Sequence, residues 1–361
     1  MDAYAGSNTG SSIDVTVKKN FLSDNASGVH ENVIAAITEA NRGYSPAYGE
    51  DPWTQKASEL IREKFDSDAR VLFCFGGTGA NVTALSAVTK PFESILCAQS
   101  AHIWNNECGA VEKISGSKIV PIPDHYGKLE PKEVQNLLED NHGVHTSQPR
   151  VLSLTQPTEW GLLYTKEELC ALSTYAHDRE MLVHVDGARY CNAVSAAGTS
   201  LSAMGPECGI DILSFGGTKN GLLGAEAVIF FNRDIGDNAE FSRKQATQLA
   251  SKMRFIAAQF IAYFQDDLWF KLSTQANKSM ERLVKGCAQR VRGFKLSCPA
   301  QCNMGFPYLA PEISTYLQSN YDFHLWKEKE NIARWVTSFD THEEDINSLI
   351  NELGLLYDKL L

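Results

Sequence analysis

The sequence lacks the usual marks of a metal site, a disulfide scaffold and a membrane anchor. Its nine cysteines are an odd number, include no Cys-X-X-Cys pair and have no companion histidine cluster at metal-ligand spacing. Several, such as Cys74 and Cys97, lie inside apolar runs, where cysteine behaves as a small buried hydrophobic residue. We therefore expect free thiols, no bound metal and a reducing compartment, with the cytoplasm as the default location.

Long apolar stretches and basic charge are also scarce. No segment is long and apolar enough to cross a bilayer. The formal net charge is −11, whereas a surface that binds nucleic acid needs a basic face. Residues 1–20 have neither the apolar segment of a signal peptide nor the arginines of a transit peptide. We predict no membrane or nucleic-acid partner, and a flexible tail over residues 1–20.

What the sequence does contain is an alternation of short β-rich runs and amphipathic helical segments. The strand candidates are 71–75, 94–97, 118–122, 151–154, 181–185, 212–215 and 227–231. Helical patterns lie before and between them, at 29–42, 52–65, 81–88, 131–140 and 166–179. Strands that lack alternation and are linked by helices indicate a mostly parallel sheet covered on both faces. A ligand site is then expected at the carboxyl ends of the strands.

The second half of the chain indicates a smaller companion domain, as the length of 361 residues also suggests. Residues 241–291 are almost wholly helical in pattern and could contain a long helix that joins two domains. A weak strand follows at 335–339, and a terminal helix begins at about His342. We predict a large α/β domain over residues 21–260 and a small C-terminal α+β domain over residues 261–361.

Two charged residues follow neighbouring strand candidates. Lys219 comes after Phe215-Gly-Gly-Thr, where glycines let a bulky group approach the backbone. A lone loop lysine is usually a solvated charge, but a shielded one can form a Schiff base. Asp186 follows an apolar run, and it either caps the next turn or pairs with a cationic ring nitrogen. Both side chains could point into one cavity.

A glycine-rich turn, Gly76-Gly-Thr-Gly-Ala-Asn81, joins the first strand candidate to a helix. Such a turn can seat a phosphate on helix N-terminal amides, with the Thr78 hydroxyl as a further donor. A dinucleotide fingerprint fits less well, because Val82 occupies the third glycine position and strand 94–97 does not end in an acidic residue. His102 follows that strand, where an imidazole could stack on a planar ring.

In this order the motifs resemble those of fold-type-I pyridoxal-phosphate (PLP) enzymes. More narrowly they resemble the low-specificity L-threonine aldolases of the β-eliminating lyase superfamily, from about Phe21 to the C-terminus. Further matching stretches are Leu22-Ser-Asp-Asn-Ala, Pro46-Ala-Tyr-Gly-Glu-Asp-Pro-Trp53, Ser251-Lys-Met-Arg254 and Ala333-Arg-Trp-Val-Thr-Ser-Phe-Asp340. The resemblance implies a PLP-dependent retro-aldol cleavage of L-threonine, L-allo-threonine and related β-hydroxy-α-amino acids to glycine and an aldehyde.

The resemblance also implies a role for each residue around the cofactor. Lys219 would carry PLP as a Schiff base, and Asp186 would contact the pyridine nitrogen. His102 would stack over the ring, while Gly77 and Thr78 would hold the phosphate.

Other implied roles concern the substrate and a neighbouring subunit. Ser23, Arg189 and Arg334 would grip the substrate carboxylate, and Arg189 would also border the cofactor. Tyr48 and Arg254 resemble positions that reach the substrate and the cofactor from the neighbouring subunit. The resemblance therefore implies a homotetramer, built as a dimer of dimers.

One segment departs from the family pattern. Many members carry Glu-Asn-Thr-His after the fourth core strand, with the histidine near the substrate hydroxyl. Here the chain reads Leu154-Thr-Gln-Pro-Thr-Glu-Trp-Gly161, one residue longer and without histidine. Thr158 or Glu159 is a candidate replacement, and His102 or a bound water is an alternative base. Asp24-Asn25 also replaces the commoner Asp-Thr.

Three alternatives to an aldolase stay open at this point. A PLP-dependent β-eliminating lyase acting on another amino acid would use the same lysine, aspartate and arginines. A nucleotide- or NAD-binding α/β protein would leave Lys219 incidental. A fold-type-I protein without activity would serve as a binding partner, although the intact set of charged residues favours an enzyme.

Overall fold

The computed structural model describes residues 18–139 and 142–360. Of the tail predicted over residues 1–20, residues 1–17 lie outside the described part of the chain. Its last residues are not a free tail, because strand β1 (Lys19–Asn20) pairs in parallel with Tyr321–Asp322. The backbone amide of Phe21 extends this contact by donating to the carbonyl of Asp322 at 2.8 Å.

A seven-stranded sheet forms the centre of the larger part of the fold. Its strands are β2 (Arg70–Cys74), β3 (Glu93–Ala98), β4 (Lys118–Ile122), β5 (Gln148–Thr155), β6 (Leu182–Gly187), β7 (Ile212–Gly216) and β8 (Glu226–Phe230). They lie in the order β2-β8-β7-β6-β5-β3-β4, and all pairs are parallel except those that β8 makes with β2 and β7. Every residue of β6 and β7 is buried, as expected for strands covered on both faces. The predicted mostly parallel sheet is confirmed.

Helices cover this sheet and continue into the C-terminal part. They are α1 (Glu31–Ala40), α2 (Pro52–Lys64), α3 (Gly77–Ser86), α4 (His102–Asn105), α5 (Ala110–Ser115), α6 (Pro131–Glu139), α7 (Lys166–His177), α8 (Tyr190–Ala197), α9 (Ala239–Gln245), α10 (Arg254–Phe264), α11 (Leu268–Arg290), α12 (Pro311–Leu317) and α13 (Glu343–Leu360). Sequence signals fix several ends: Asp51 caps α2, whose first residue is a proline, and Thr165 and Glu168 form a capping box on α7. Among the described helices, none combines the length and the apolar character needed to span a membrane.

Helix α3 begins four residues earlier than the predicted helix at 81–88. Its first residues are Gly77, Thr78 and Gly79, and their poor helix propensity favoured a loop in the sequence. Tertiary packing overrides that preference, because the following residues Ala80–Leu85 are all buried against the sheet. Residue 140, at the end of the predicted helix 131–140, lies outside the described residues.

The C-terminal part contains a small antiparallel sheet. Its strands are β9 (Met304–Gly305), β11 (His324–Lys327) and β12 (Ile332–Val336), with β10 (Tyr321–Asp322) pairing to β1 instead. The prediction of a strand at 335–339 was wrong in its second half, because β12 ends at Val336. Beyond it the Thr337 hydroxyl donates to the carbonyl of Ala276 at 2.7 Å, and the Ser338 amide donates to the Thr341 hydroxyl at 2.8 Å. Helix α13 begins close to the predicted start.

Two principal apolar cores meet along the 23-residue helix α11. Leu268 and Leu272, near its beginning, pack in the core of the large sheet. Met280 and Leu283, further along, pack in the core of the C-terminal part, which also buries Phe21. One helix thus joins both cores, as the helical pattern over 241–291 predicted. The division into residues 21–260 and 261–361 stays a prediction.

Candidate active site

Two adjoining cavities lie at the carboxyl ends of the parallel strands. The inner cavity reaches the phosphate loop and Asp186, and the outer cavity, of about 390 Å³, reaches Ser23 and Arg334. Both cavities are lined by the same four residues, which are His102, Glu159, Arg189 and Lys219. Of the ten predicted site residues, all except Tyr48 and Arg254 line one or both cavities.

Lys219 stands where β7 leaves the sheet. A Cβ atom on Gly216 would lie 2.5 Å from the carbonyl oxygen of Ala188, and one on Gly217 would lie 2.3 Å from the Leu222 side chain. Only glycine allows this close packing, which brings the lysine beside the end of β6. Burial, followed by the nearby Arg189 guanidinium, lowers the pKa of the Lys219 amine. A lowered pKa increases the fraction of neutral amine, which is the nucleophilic form.

Asp186 lies in β6, the parallel neighbour of β7, and it lines the same inner cavity as Lys219. Its Oδ1 accepts a hydrogen bond from the Ala188 amide at 3.1 Å, so the predicted turn-capping contact exists. Its Oδ2 accepts from the Asn81 amide Nδ2 at 2.9 Å. Both interpretations of the sequence are therefore compatible, since one oxygen caps the turn while the carboxylate borders the cavity.

A chain of hydrogen bonds connects Asp186 to His102. The same Asn81 Nδ2 group donates to Glu107 Oε1 at 2.8 Å, and that oxygen lies 2.8 Å from His102 Nδ1. The hydrogen bond with Glu107 raises the pKa of His102, which favours the imidazolium form. Potential ligand atoms of His102, Glu107 and Asp186 lie within 4.8 Å of one another, a spacing that a metal ion could also bridge. Here the Asn81 amide lies between the two carboxylates and donates to one oxygen of each.

The N-terminus of α3 faces open space. The cap residue is Gly76, which has no side chain that could accept from the first amides of the helix. A Cβ atom on Gly76 or Gly77 would meet nothing within 4 Å. The first amides of a helix have no intrahelical partner, so they are available to an anion. The residues Gly77 and Thr78 line the inner cavity, as the sequence predicted.

Arg189 is held by a partner that the sequence did not identify. Its Nε donates to Asp24 Oδ2 at 2.6 Å and its Nη2 donates to Asp24 Oδ1 at 2.8 Å. Asn303 Nδ2 donates to Asp24 Oδ2 at 3.1 Å. Burial opposes ionisation of Asp24, but the Arg189 charge outweighs it and holds the pKa of this carboxyl below its usual value. Much of the positive charge of Arg189 is therefore balanced within the protein.

Arg334 is less fully paired than Arg189. Its Nη2 donates to the carbonyl of Leu22 at 3.2 Å, and its Cζ lies 5.0 Å from the centre of the Trp326 ring. Its Nε is buried and has no hydrogen-bond partner among the described residues. Burial lowers the pKa of Arg334 to about 10, so the side chain is still charged at neutral pH. A buried, unsatisfied N–H beside the outer cavity is what a bound carboxylate would require.

Tyr48 and Arg254 are not brought into the cavities of this chain. The ring of Tyr48 is half exposed, and its backbone amide donates to the carbonyl of Ser251 at 2.9 Å. Arg254 Nη1 donates to the carbonyl of Gly43 at 3.3 Å. Their predicted contribution to a neighbouring subunit's site stays a prediction.

Sequence reasoning missed Asn81, Glu107 and Asp24 as parts of the site. Asn81 belongs to the glycine-rich motif, and its position one turn into α3 was a usable signal. Asp24 is adjacent to Ser23, which was predicted. Glu107 gave no signal, because α4 ends at Asn105 and no helical spacing relates it to His102.

The donor set fits a phosphorylated pyridine such as PLP. The inner cavity combines an amine of lowered pKa, a carboxylate near one strand end and an open helix N-terminus. Its free volume is only about 40 Å³. An aromatic ring would therefore enter only if a flexible side chain such as Lys219 moved aside.

The sequence is similar to those of known proteins. A family model described as beta-eliminating lyase matches residues 20–309. The chain is 39% identical over 338 residues to a low specificity L-threonine aldolase of Pseudomonas aeruginosa, covering 93% of this chain and 97% of that protein. It is 25% identical to a low specificity L-threonine aldolase of Saccharomyces cerevisiae, covering 81% of this chain and 74% of that protein.

The fold is similar to those of solved structures. A threonine aldolase of Leishmania major superposes with a TM-score of 0.88 at 30% identity, covering 94% of this chain and 99% of that one. An aspartate aminotransferase of Thermus thermophilus superposes with a TM-score of 0.69 at 15% identity, covering 94% and 91%. The predicted fold-type-I α/β architecture is confirmed.

Proposed function

From the premise that this chain belongs to the β-eliminating lyase family, we propose that it is a PLP-dependent threonine aldolase. Its substrates would be L-threonine, L-allo-threonine and related β-hydroxy-α-amino acids, and its products glycine and an aldehyde. The observation that carries the proposal is that Lys219 and Asp186 line one inner cavity, while Arg334 lines the cavity that adjoins it.

The residues of the inner cavity would hold the cofactor. When bound, PLP supplies an electron-withdrawing ring that can accept the electron pair of a breaking bond. The Lys219 amine would attach to it, and the Asp186 carboxylate would keep a proton on the ring nitrogen. The amides at Gly77 and the Thr78 hydroxyl would bind the phosphate. His102 would lie against the ring, oriented by its hydrogen bond to Glu107.

The residues of the outer cavity would fix the substrate carboxylate. The Arg334 guanidinium suits the two oxygens of a carboxylate, and its buried Nε has no protein partner within the described structure. The Ser23 hydroxyl and Arg189 border the same cavity. With the carboxylate held here and the amino group at Lys219, the Cα–Cβ bond takes a defined orientation. Orientation of this bond decides whether it is the one that breaks.

Product analysis tests this function and separates it from its nearest alternative. We expect the purified protein, supplied with PLP, to convert L-threonine or L-allo-threonine to glycine and acetaldehyde. Phenylserine should give glycine and benzaldehyde if aromatic substituents are accepted. Pyruvate and ammonia from a β-substituted alanine, without glycine from any β-hydroxy amino acid, would instead assign a β-eliminating lyase. A colourless protein that binds no PLP would contradict both.

We also propose that the enzyme is a homotetramer, built as a dimer of dimers, in a reducing compartment such as the cytoplasm. Exposed Tyr48, Phe75 and Leu223 support a subunit interface near the site, since Phe75 directly precedes the phosphate loop and Leu223 follows Lys219 by four residues. Tyr48 and Arg254 would then reach the neighbouring site. Light scattering of the purified protein measures the mass, and a monomer would contradict this assembly.

A further inference from the structure

We propose that Glu159 is the catalytic residue that removes the proton from the β-hydroxyl of the substrate. This inference rests on the proposed function and concerns the hydroxyl proton, which has to leave as the Cα–Cβ bond breaks. Glu159 is one of the four residues that line both cavities, so it lies where the cofactor side and the carboxylate side of the site meet.

The neighbouring candidate, Thr158, is occupied elsewhere. Its side chain is fully buried, and its Oγ1 donates to the carbonyl of Tyr126 at 2.8 Å. The same oxygen accepts from the Leu162 amide at 3.2 Å. Thr158 lines neither cavity. The hydroxyl thus both donates and accepts a hydrogen bond within the protein, away from the cavities. It cannot take a proton from a substrate bound there.

The carboxylate of Glu159 differs from the other acidic groups in being unengaged. Within the described structure, the acidic side chains lining the two cavities are those of Glu107, Asp186 and Glu159. Glu107 and Asp186 both accept hydrogen bonds from Asn81. No described residue donates a hydrogen bond to Glu159 or lies within ion-pair distance of it. Its lone pairs are therefore free to accept a substrate proton.

The backbone on both sides of Glu159 is fixed. The side chain of Gln156 bonds the amide and the carbonyl of Tyr164, both at 2.9 Å. The Thr158 amide donates to the carbonyl of Leu162 at 2.8 Å. The ring of Trp160 packs on three aromatic rings, at centroid distances of 5.1–5.8 Å. A general base has to be held at a defined position, and this loop provides it.

The charges around Glu159 suit a base. Burial raises the pKa of its carboxyl, and the adjacent cations only partly oppose this rise. The charged groups that face it come from five elements: His102 of α4, Asp186 of β6, Arg189 before α8, Lys219 after β7 and Arg334 of β12. His102 is a poorer base, because its hydrogen bond to Glu107 raises its pKa and favours the protonated imidazole.

The proposed step is balanced in protons and electrons. The hydroxyl proton moves to a Glu159 oxygen, and the O–H electron pair becomes the second C–O bond of the aldehyde. The Cα–Cβ bond breaks, and bound PLP would supply the ring that accepts its electron pair. The protons balance over the whole reaction, because Cα takes up one proton to give glycine and Glu159 releases the proton that it accepted.

The variant Glu159→Gln tests the step, because it keeps the size of the side chain and removes the base. We expect kcat for threonine cleavage to fall about 100- to 10,000-fold, the range for loss of a general base. Two other measurements should stay within about threefold of the wild type, as expected for a residue that acts only on the hydroxyl. These are glycine binding, followed by the visible absorption of the cofactor, and exchange of the glycine α-proton with deuterated solvent.

Further variants and the pH profile sharpen the test. The acid side of the kcat/KM profile, where activity falls as the base is protonated, should disappear in Glu159→Gln. The variant Glu159→Asp keeps a carboxylate and should recover at least part of the lost cleavage. Glu312→Gln, at an exposed position of α12, is the matched control and should behave as the wild type.

Three results would overturn the inference. Threonine cleavage by Glu159→Gln at a rate near that of the wild type would show that another group takes the proton. An equal loss of cleavage and of glycine α-proton exchange would show a general effect on the site. If the wild type releases no glycine from any β-hydroxy amino acid, the proposed function is wrong as well as the role of Glu159. The first two results differ from this one, because in them the wild type is an active aldolase.

Discussion

Replacing Arg334 by Met should weaken amino-acid binding through the loss of one identifiable contact. The guanidinium has a buried Nε without a partner among residues 18–139 and 142–360, and its Nη2 donates to the carbonyl of Leu22. Methionine keeps much of the apolar packing on Trp326 and removes the charge and the donors. Arg189 cannot replace them fully, because two of its nitrogens already bind Asp24.

The expected magnitude follows from the contact that is lost. A hydrogen bond to a charged group contributes roughly 1.5–3 kcal/mol. Since about 1.4 kcal/mol is a factor of ten in a dissociation constant, the dissociation constant for glycine should rise about 10- to 150-fold. The upper part of this range applies if the carboxylate binds the Arg334 fork through two hydrogen bonds.

The assay compares glycine with methylamine, which has the amino group but no carboxylate. Binding of either ligand is followed by the change in the visible absorption of the cofactor. In the wild type glycine should bind more tightly than methylamine, whereas in Arg334→Met this advantage should largely disappear. The variant Arg292→Met, which changes an exposed arginine, serves as the control. An equal loss of affinity for both ligands would refute the assignment of Arg334 to the carboxylate.

Other changes have equally specific expected results. Lys219→Ala should remove both turnover and the visible absorption of covalently bound cofactor, and retained turnover would reject the lysine's role. Glu107→Gln should lower the pKa of His102, measured by NMR titration of the imidazole, because the hydrogen bond to this carboxylate is the largest cause of its rise. His184 is buried, and burial lowers its pKa from 6.5 to about 4. It therefore contributes stability that is fully present above about pH 6.5 and is lost toward pH 4, by about 3 kcal/mol at most. Urea unfolding of His184→Gln should show a weaker dependence on pH in this window.

The fold was largely predictable because three adjacent strands of its sheet, β6, β7 and β8, are fully buried. Runs such as those of β6 and β7 are buried throughout and mostly apolar, and helical segments separate most of the strands, so the sequence indicates a parallel sheet. The order of the strands was not predictable, because it depends on pairing between distant segments. The antiparallel direction of β8, which pairs with β2 over 150 residues away, left no local signal.

The site was predictable where its residues stand at strand ends within short motifs. Lys219, Asp186 and the phosphate loop each follow a core strand, and parallel strands bring their carboxyl ends to one edge. The partners of these residues were less visible. The ion pair between Asp24 and Arg189 joins positions 165 residues apart, and it changes how much positive charge remains for a substrate.

The choice between Thr158 and Glu159 shows why a local pattern alone cannot identify the base. The two residues are adjacent, so both follow the same strand, and either side chain can carry a proton. The choice depends on the carbonyl of Tyr126, which lies 32 residues earlier and accepts from the Thr158 hydroxyl. Gly127 is part of this contact, because a Cβ atom there would lie 2.7 Å from Thr158 Cβ. With Thr158 held in that direction, Glu159 is the residue left to face the cavities. A substitution that released Thr158 would therefore be expected to disturb the placement of Glu159 and, through it, the cleavage step.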